Sequence, residues 1–485
     1  MVRSSRELIV IRVILVAAFL IICAGLLVGR LYYVQICLHE EYFAKAQGRY
    51  TAARTIRGKR GEIFDRNGHL LVGNRPCETL VVDPSLIPAD YPVELLINEI
   101  CARIPVSPEH VRRQITTKTR DVTREDGSIR TVELKYAIIG RYIDPATVKE
   151  LRKAVSELKP GIQRAAIYGE EDFIRFYPKN SLLSNVLGLT SYSQGEYVAV
   201  MGVEQSYNEL MTPSRGKMVY ERSRDGMQLP YGLLKVMDEE RDGLDVYLTI
   251  DEVIQSFVEE EMAKMVQEFR PLSATVIMAD PKTGDILAMA QYPSFDPNDR
   301  ANLDSNALSD QRRILAIDKA YEPGSIMKAL SISLAIDDGI VTPNTMIDAE
   351  GGTWYYMRRV LTDSSRRGVI SVAEAVQKSS NIVTAKIGLM LGADRLYHGL
   401  RAFGLGQKTG IPLQPESTGL FMLNKVDGLW VTRVPIGYSV AVSPLPAQAA
   451  RAFSRCRSIA SLKAATSTPT PRDFNASWVR SSGKP

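Results

Sequence analysis

Apolar residues run without a single charge from Val13 to Gly29, and Leu8 to Ile11 extend the run with only Arg12 between. A stretch of that length crosses a bilayer as one helix. Arg3, Arg6 and Arg12 precede it, which predicts a cytoplasmic N-terminus. Leu31-Tyr32-Tyr33 follow Arg30 and read as an interfacial aromatic anchor. The alternative is a cleaved signal peptide, but no small-x-small cleavage site follows and the run is long for a signal. The expectation is a cytoplasmic N-terminus over 1–12, an uncleaved anchor over 13–33, and the bulk of the chain outside the cytoplasm.

Beyond the anchor the pattern changes period. Residues 34 to about 55 read as a polar helical stalk. Asn67-Gly68 between apolar runs predicts a hairpin, and Thr79 to Asp83 a further strand. Helical patterns cover 91–120 and 144–158, with a charged hairpin or loop over 121–130. Gly202-Val203-Glu204 opens a helical segment. Leu244 to Ile250 alternates as a strand, and Asp251 caps a helix to about Phe269. Ala274–Ala279 and Asp285–Ala290 form a hairpin around Lys282-Thr283-Gly284. From 328 onward helices dominate, over Ala329–Asp337, Val372–Lys378 and Ile382–Leu391. The fold class expected is therefore α+β. Residues 447–485 carry seven Lys/Arg against the single acid Asp473, with ten Ser/Thr and no periodicity. They read as a disordered tail.

Length adds a prior of about three domains. Hydrophobic content of 45% and charged content of 24% suit a globular chain with a large core. A net charge of +5 gives no reason to invoke nucleic acid. The cysteines (Cys23, Cys37, Cys77, Cys101, Cys456) contain no CxxC pair, and their odd number argues against a disulfide framework. The four histidines (His39, His69, His110, His398) are scattered without metal spacing, so no metal or other cofactor is expected.

Chemistry concentrates in Tyr321-Glu322-Pro323-Gly324-Ser325-Ile326-Met327-Lys328. A serine follows a Pro-Gly turn, and a lysine stands three residues later where an apolar helix begins. Such residues share a helix face. A serine hydroxyl needs a base to become a nucleophile, and a lysine of lowered pKa can serve. The helix N-terminus near Ser325 favours developing negative charge. A second element is Ser379-Ser380-Asn381, at the junction of two helical runs. Taken alone it reads as a helix cap.

The ordered motifs together resemble a class B penicillin-binding protein, a peptidoglycan D,D-transpeptidase. They include Arg57-Gly58 through Asn67-Gly68, Arg175-x-Tyr177-Pro178, Gly202-Val203-Glu204, Leu248-Thr249-Ile250-Asp251, Asp280-Pro281-Lys282-Thr283-Gly284, the serine segment, Lys378-Ser379-Ser380-Asn381, Phe403-Gly404-Leu405-Gly406, and Gly437 through Leu445. Within the family the chain looks most like the division-specific type. The resemblance implies a transmembrane anchor, an elongated α+β pedestal over 34–240 and a transpeptidase domain over 241–445. It implies Ser325 as nucleophile on the penultimate D-alanine carbonyl of a stem peptide and Lys328 as general base. Ser379 would relay a proton to the leaving amine, and Asn381 would bind the acyl-chain amide. It also implies a single-pass inner-membrane protein. Its partners would be peptidoglycan stem peptides, lipid-linked precursor strands, β-lactams and a partner glycosyltransferase of the division machinery.

The family also places a Lys-Thr-Gly triplet on a strand opposite the serine. Neither Lys282-Thr283-Gly284, at a hairpin turn, nor Lys408-Thr409-Gly410, soon after Asn381, fits that position. The expectation is thus an incomplete transpeptidase domain, with a divergent tail over 446–485 and reduced activity. Loss of one oxyanion donor costs on the order of 10²–10³ in rate. Competing expectations are a non-catalytic division scaffold and a serine β-lactamase or β-lactam sensor. The long segment before Leu244 argues against the latter.

Overall fold

The computed structural model describes residues 5–42, 51–123, 128–159, 161–162, 166–193, 196–221, 234–299, 312–423, 428–445 and 479–482. Ser5–Tyr32 forms one helix of 28 residues, about 42 Å long at the rise of an α-helix. A π-turn, Tyr33–Cys37, extends it. The span Arg12–Cys37 is long and apolar enough to cross a membrane, and Phe19, Ile21 and Leu26 stand exposed along it. The Arg30 guanidinium lies 5.7 Å from the centre of the Tyr33 ring, at the end where an interfacial anchor is expected.

The helical stalk does not reach residue 55. Thr51–Arg57 is a strand, paired antiparallel with Arg215–Glu221. Its β-branched Thr51, Thr55 and Ile56 suit a pleated ladder, and its partner lies too far along the chain for a local pattern to reveal. Residues 43–50 of the expected stalk lie outside the described residues.

The chain divides into two compact units, and the division is not linear. The first comprises Met1–Gly58, Pro76–Asp172 and Ser214–Arg241; the second comprises Lys59–Arg75, Phe173–Pro213 and Asp242–Pro485.

In the first unit, the C-terminal part of strand Leu70–Val82 pairs antiparallel with Ala137–Ile143. Helices Val93–Cys101, Pro108–Thr116 and Pro145–Glu157 bury Leu96, Ile100, Val111, Val148 and Leu151 around it. The helical stretch expected over 91–120 is broken, because Ser107 caps a second helix with Pro108 at its first position. Thr119–Thr123 then leaves as one arm of a hairpin with Ile129–Glu133, and residues 124–127 between them lie outside the described residues. Cys77 is buried and Cys101 half-buried.

The second unit carries the chemistry. Ile63–Phe64 runs parallel to Asp245–Leu248. The Asn67-Gly68 hairpin closes with Asp65 N donating to His69 O at 2.9 Å, and Gly68 takes φ 87°. Asp251 caps Glu252–Phe269, accepting from Val253 N and Ile254 N. Ala274–Ala279 pairs antiparallel with Ile286–Tyr292. Gln255, buried on the helix, bonds the Met289 backbone in both directions and joins helix to hairpin. Val479–Ser482 pairs antiparallel with Asp245–Leu248, so this part of the expected disordered tail is a strand. Residues 446–478 lie outside the described residues.

Within this unit Glu204 has no exposure. Arg60 Nε donates to its Oε2 at 2.7 Å and Arg175 Nε to its Oε1 at 2.6 Å. Arg60 also donates to the Glu204 carbonyl at 3.0 Å and to Asn208 Oδ1 at 2.9 Å. Asn74 bridges the two arginines, accepting from Arg175 Nη1 and donating to the Arg60 carbonyl. Burial alone would raise the Glu204 pKa, but the two guanidinium groups overcome it and hold the carboxyl below its ordinary value.

Removing one side of a buried pair strands the opposite charge, at a cost of about 3–5 kcal/mol. Glu204→Ala should lower the unfolding free energy by that measure, seen as a lower urea midpoint in tryptophan fluorescence. An unchanged midpoint would show that the network contributes nothing. Because the folded pKa lies below the ordinary value of 4.5, this stability is present above pH 4.5 and lost as pH falls through the folded value.

Candidate active site

Ser325 is the N-cap residue of helix Ile326–Asp337, with φ −60° and ψ −11°. The turn before it depends on two glycines. Gly324 takes φ 62° and donates its N–H to Gly437 O at 3.2 Å. Gly437 takes φ 88°, and a Cβ there would lie 2.0 Å from Gly324 O and 2.4 Å from Gly324 N. Only glycine meets both demands at 437. The same segment clamps the approach to the serine. Tyr321 and Val442 exchange backbone bonds of 3.0 Å each, and Ser439 N donates to Glu322 Oε1 at 3.1 Å. The sequence showed Gly437 only as one letter of a motif; its role against Gly324 is a long-range contact.

Lys328 points from the same helix into the protein and is only 4% exposed. Its Nζ donates to the Ser379 carbonyl at 2.6 Å and to Ser379 Oγ at 2.9 Å. Ser379 Oγ in turn donates to Ser325 Oγ at 3.2 Å. The helix-face argument puts Ser325 and Lys328 side by side, and here a third side chain bridges them. Burial pushes the Lys328 pKa below the ordinary lysine value, and the Asp363 carboxylate offsets part of that.

Ser379 has φ 55°, the left-handed region that a β-carbon disfavours. It follows Val372–Gln377 and donates N–H to Val376 O at 3.1 Å, while Ser380 N donates to Ala375 O. The helix-cap reading is true of its neighbour: Ser380 Oγ accepts from Val383 N at 3.2 Å and caps Asn381–Ala402. Ser379 is thereby freed to turn its hydroxyl toward Ser325. Asn381 opens that helix, and its Nδ2 donates to Thr362 O at 2.9 Å. The carboxamide retains an oxygen acceptor and a second hydrogen for a ligand.

The two walls are held together by close packing of Ile326–Asp337 against Asn381–Ala402. A Cβ on Gly399 would lie 2.5 Å from Leu334 Cδ1, and on the other side one on Gly388 would lie 2.2 Å from Val431 O in the short helix Trp430–Arg433. Asp363, which the sequence did not single out, accepts from Ser380 Oγ and Asn381 N at 2.6 Å each and from Ile382 N at 3.1 Å.

Neither Lys-Thr-Gly string lies on a strand. Lys282-Thr283-Gly284 closes the hairpin, with Gly284 N donating to Asp280 O and Lys282 N to Asp280 Oδ1. Lys408-Thr409-Gly410 is a loop in which Glu416 accepts from Thr409 N and Oγ1 at 2.6 Å each. Asp65, His69 and Glu252 come close enough to share an ion. The Asp65 oxygens are already occupied by the backbone N–H groups of Asn67, His69 and Glu252, which makes it a turn anchor.

Taken together, the site is an exposed hydroxyl linked by a hydroxyl bridge to a buried amine of lowered basicity, beside a carboxamide and a helix N-terminus. Such a chain can take a proton from the first hydroxyl and hold it.

Comparison with known proteins finds two family domains along the chain. The penicillin-binding protein dimerisation domain matches residues 55–248, and the penicillin binding protein transpeptidase domain matches residues 274–471. Stage V sporulation protein D of Bacillus subtilis is 28% identical over 455 residues, covering 90% of this chain and 64% of that protein. The peptidoglycan D,D-transpeptidase FtsI of Buchnera aphidicola subsp. Baizongia pistaciae is 25% identical over 449 residues, covering 91% of this chain and 72% of that protein. Penicillin binding protein 2X from Streptococcus thermophilus shares the fold with a TM-score of 0.61 at 22% identity, over 82% of this chain and 59% of that one. The chain thus spans less than two thirds of the sporulation protein's length. With a dimerisation domain followed by a transpeptidase domain, and relatives of the FtsI type, the chain belongs to the class B penicillin-binding proteins.

Proposed function

We propose that this chain is a membrane-anchored peptidoglycan D,D-transpeptidase that crosslinks stem peptides in septal wall synthesis. The observation that carries this reading is the hydroxyl bridge from Lys328 through Ser379 to Ser325. Ser325 Oγ attacks the carbonyl carbon of the penultimate D-alanine. Its proton passes to the Ser379 oxygen as the Ser379 proton passes to the free amine of Lys328. The new O–C bond forms, the C–N bond to the terminal D-alanine breaks, and the proton returns through the same bridge to the leaving amine. Asn381 orients the acyl chain. An amine of a neighbouring stem peptide then displaces Ser325 and completes the crosslink. β-Lactams acylate the same oxygen and stop there.

The N-terminal helix supplies the anchor, with its arginine-flanked end cytoplasmic, in the inner membrane, and the two units on the outer side. Lipid-linked precursor strands and a glycosyltransferase of the division machinery complete the proposed set of partners.

Labelling with a fluorescent penicillin tests the reading directly. The full chain should form a stable adduct, and Ser325→Ala should abolish it. No adduct on the wild-type chain would favour a non-catalytic scaffold, and rapid turnover of the drug a β-lactamase. The acylation rate should climb with pH as Lys328 loses its proton and level off below the ordinary lysine pKa, because burial lowers that value. Lys328→Arg should remove the rising limb. A Gly437→Ala variant, which forces a β-carbon into Gly324, should slow acylation by roughly 10²-fold, as expected for a nucleophile displaced by about an ångström. A wild-type rate in that variant would remove Gly437 from the account of the site.

A further inference from the structure

We infer that Asp363 is a positioning residue, whose carboxylate holds the Ser379–Asn381 turn so that the Ser379 hydroxyl stays between Lys328 and Ser325. The argument is geometric. Asp363 follows strand Arg359–Thr362, the second arm of a hairpin with Thr353–Tyr356. Its own N–H donates to Gly352 O at 3.1 Å, which fixes the carboxylate from behind. One carboxylate then serves three donors in consecutive residues. Oδ2 takes the Ser380 hydroxyl at 2.6 Å, and Oδ1 takes Asn381 N at 2.6 Å and Ile382 N at 3.1 Å.

Those amides are among the first of helix Asn381–Ala402, where N–H groups lack intrahelical partners and a negative charge is favoured. Ser380 supplies the ordinary cap to Val383 N, so Asp363 acts as a second cap from a separate segment. The double capping matters because the residue just before it is strained. Ser379 keeps φ 55° only where its surroundings over-determine the backbone. On one side the bonds of Ser379 N and Ser380 N to the preceding helix hold it; on the other the Asp363 carboxylate does. Release of the second hold lets the turn relax toward an unstrained φ, and the Ser379 oxygen leaves the bridge. The Asn381 side chain is tied to the same hairpin through Thr362 O, so one hairpin end sets both polar groups of this wall.

The inference rests on the proposed role of Ser325, and two readouts on the full chain in detergent separate the two. The first is amide hydrogen exchange over residues 379–384. Asp363→Ala should speed exchange at Asn381 and Ile382 by about tenfold, whereas Asp363→Asn, which keeps an oxygen acceptor, should hold it near wild type. The second is acylation by benzylpenicillin. Asp363→Ala should slow the covalent step by about ten- to a hundredfold with the non-covalent dissociation constant unchanged, and Asp363→Asn should recover most of the rate. A residue that merely packs would not show that split or that rescue. Unchanged exchange in Asp363→Ala overturns the inference, as does wild-type acylation of a variant whose amides exchange fast. A wild-type chain that is never acylated would sink the transpeptidase reading, and the exchange of Asp363→Ala against Asp363→Asn would then decide the positioning of the turn by itself.

Discussion

The Glu204 carboxylate is the point on which the second unit depends. A charge with no access to water is costly unless its partners replace the lost hydration. Here two guanidinium groups, from residues far apart in the chain, do so with short bonds to both oxygens. Arg60 stands at the entry to Ile63–Phe64, and that strand lies beside Asp245–Leu248. The latter leads into the Asp251 cap, the helix Glu252–Phe269 and the hairpin behind it. The segments around Arg175 and Glu204 thus join a segment around Arg60, more than a hundred residues earlier in the chain, in one foundation.

On that foundation the site combines features that would each be unfavourable alone. Lys328 is buried, and that burial lowers its basicity. Ser379 occupies a backbone region that its side chain resists. Gly437 leaves no room for any side chain against Gly324. These demands are mutually consistent. The strained turn offers its carbonyl and hydroxyl to the buried amine, and the amine's hydrogen bonds help fix the turn.

The legible parts of the chain were those whose physics is local. An apolar run, an Asn-Gly turn, an Asp cap before Glu252 and a serine three residues before a lysine are all decided within a few residues. The start of Thr51–Arg57 reads as stalk in sequence because its partner strand begins only at Arg215. Asp363 carried no local signal, since a carboxylate after a short strand looks like any solvated acid. Its meaning comes from the helix terminus it faces. The Ser379-Ser380-Asn381 cluster is ambiguous in sequence because Ser380 caps the helix while the adjacent Ser379 turns its hydroxyl toward Ser325.

The contact between Gly437 and Gly324 has a temporal side. A ribosome makes this chain from the N-terminus, so Ser325, Lys328, Ser379 and Asn381 all emerge before the glycine that backs the nucleophile turn. Throughout that interval the nascent chain holds these side chains without the backbone that lies against the Ser325 turn. The turn therefore takes its final shape only after Gly437 has been made, when residues 437–442 close against residues 321–324.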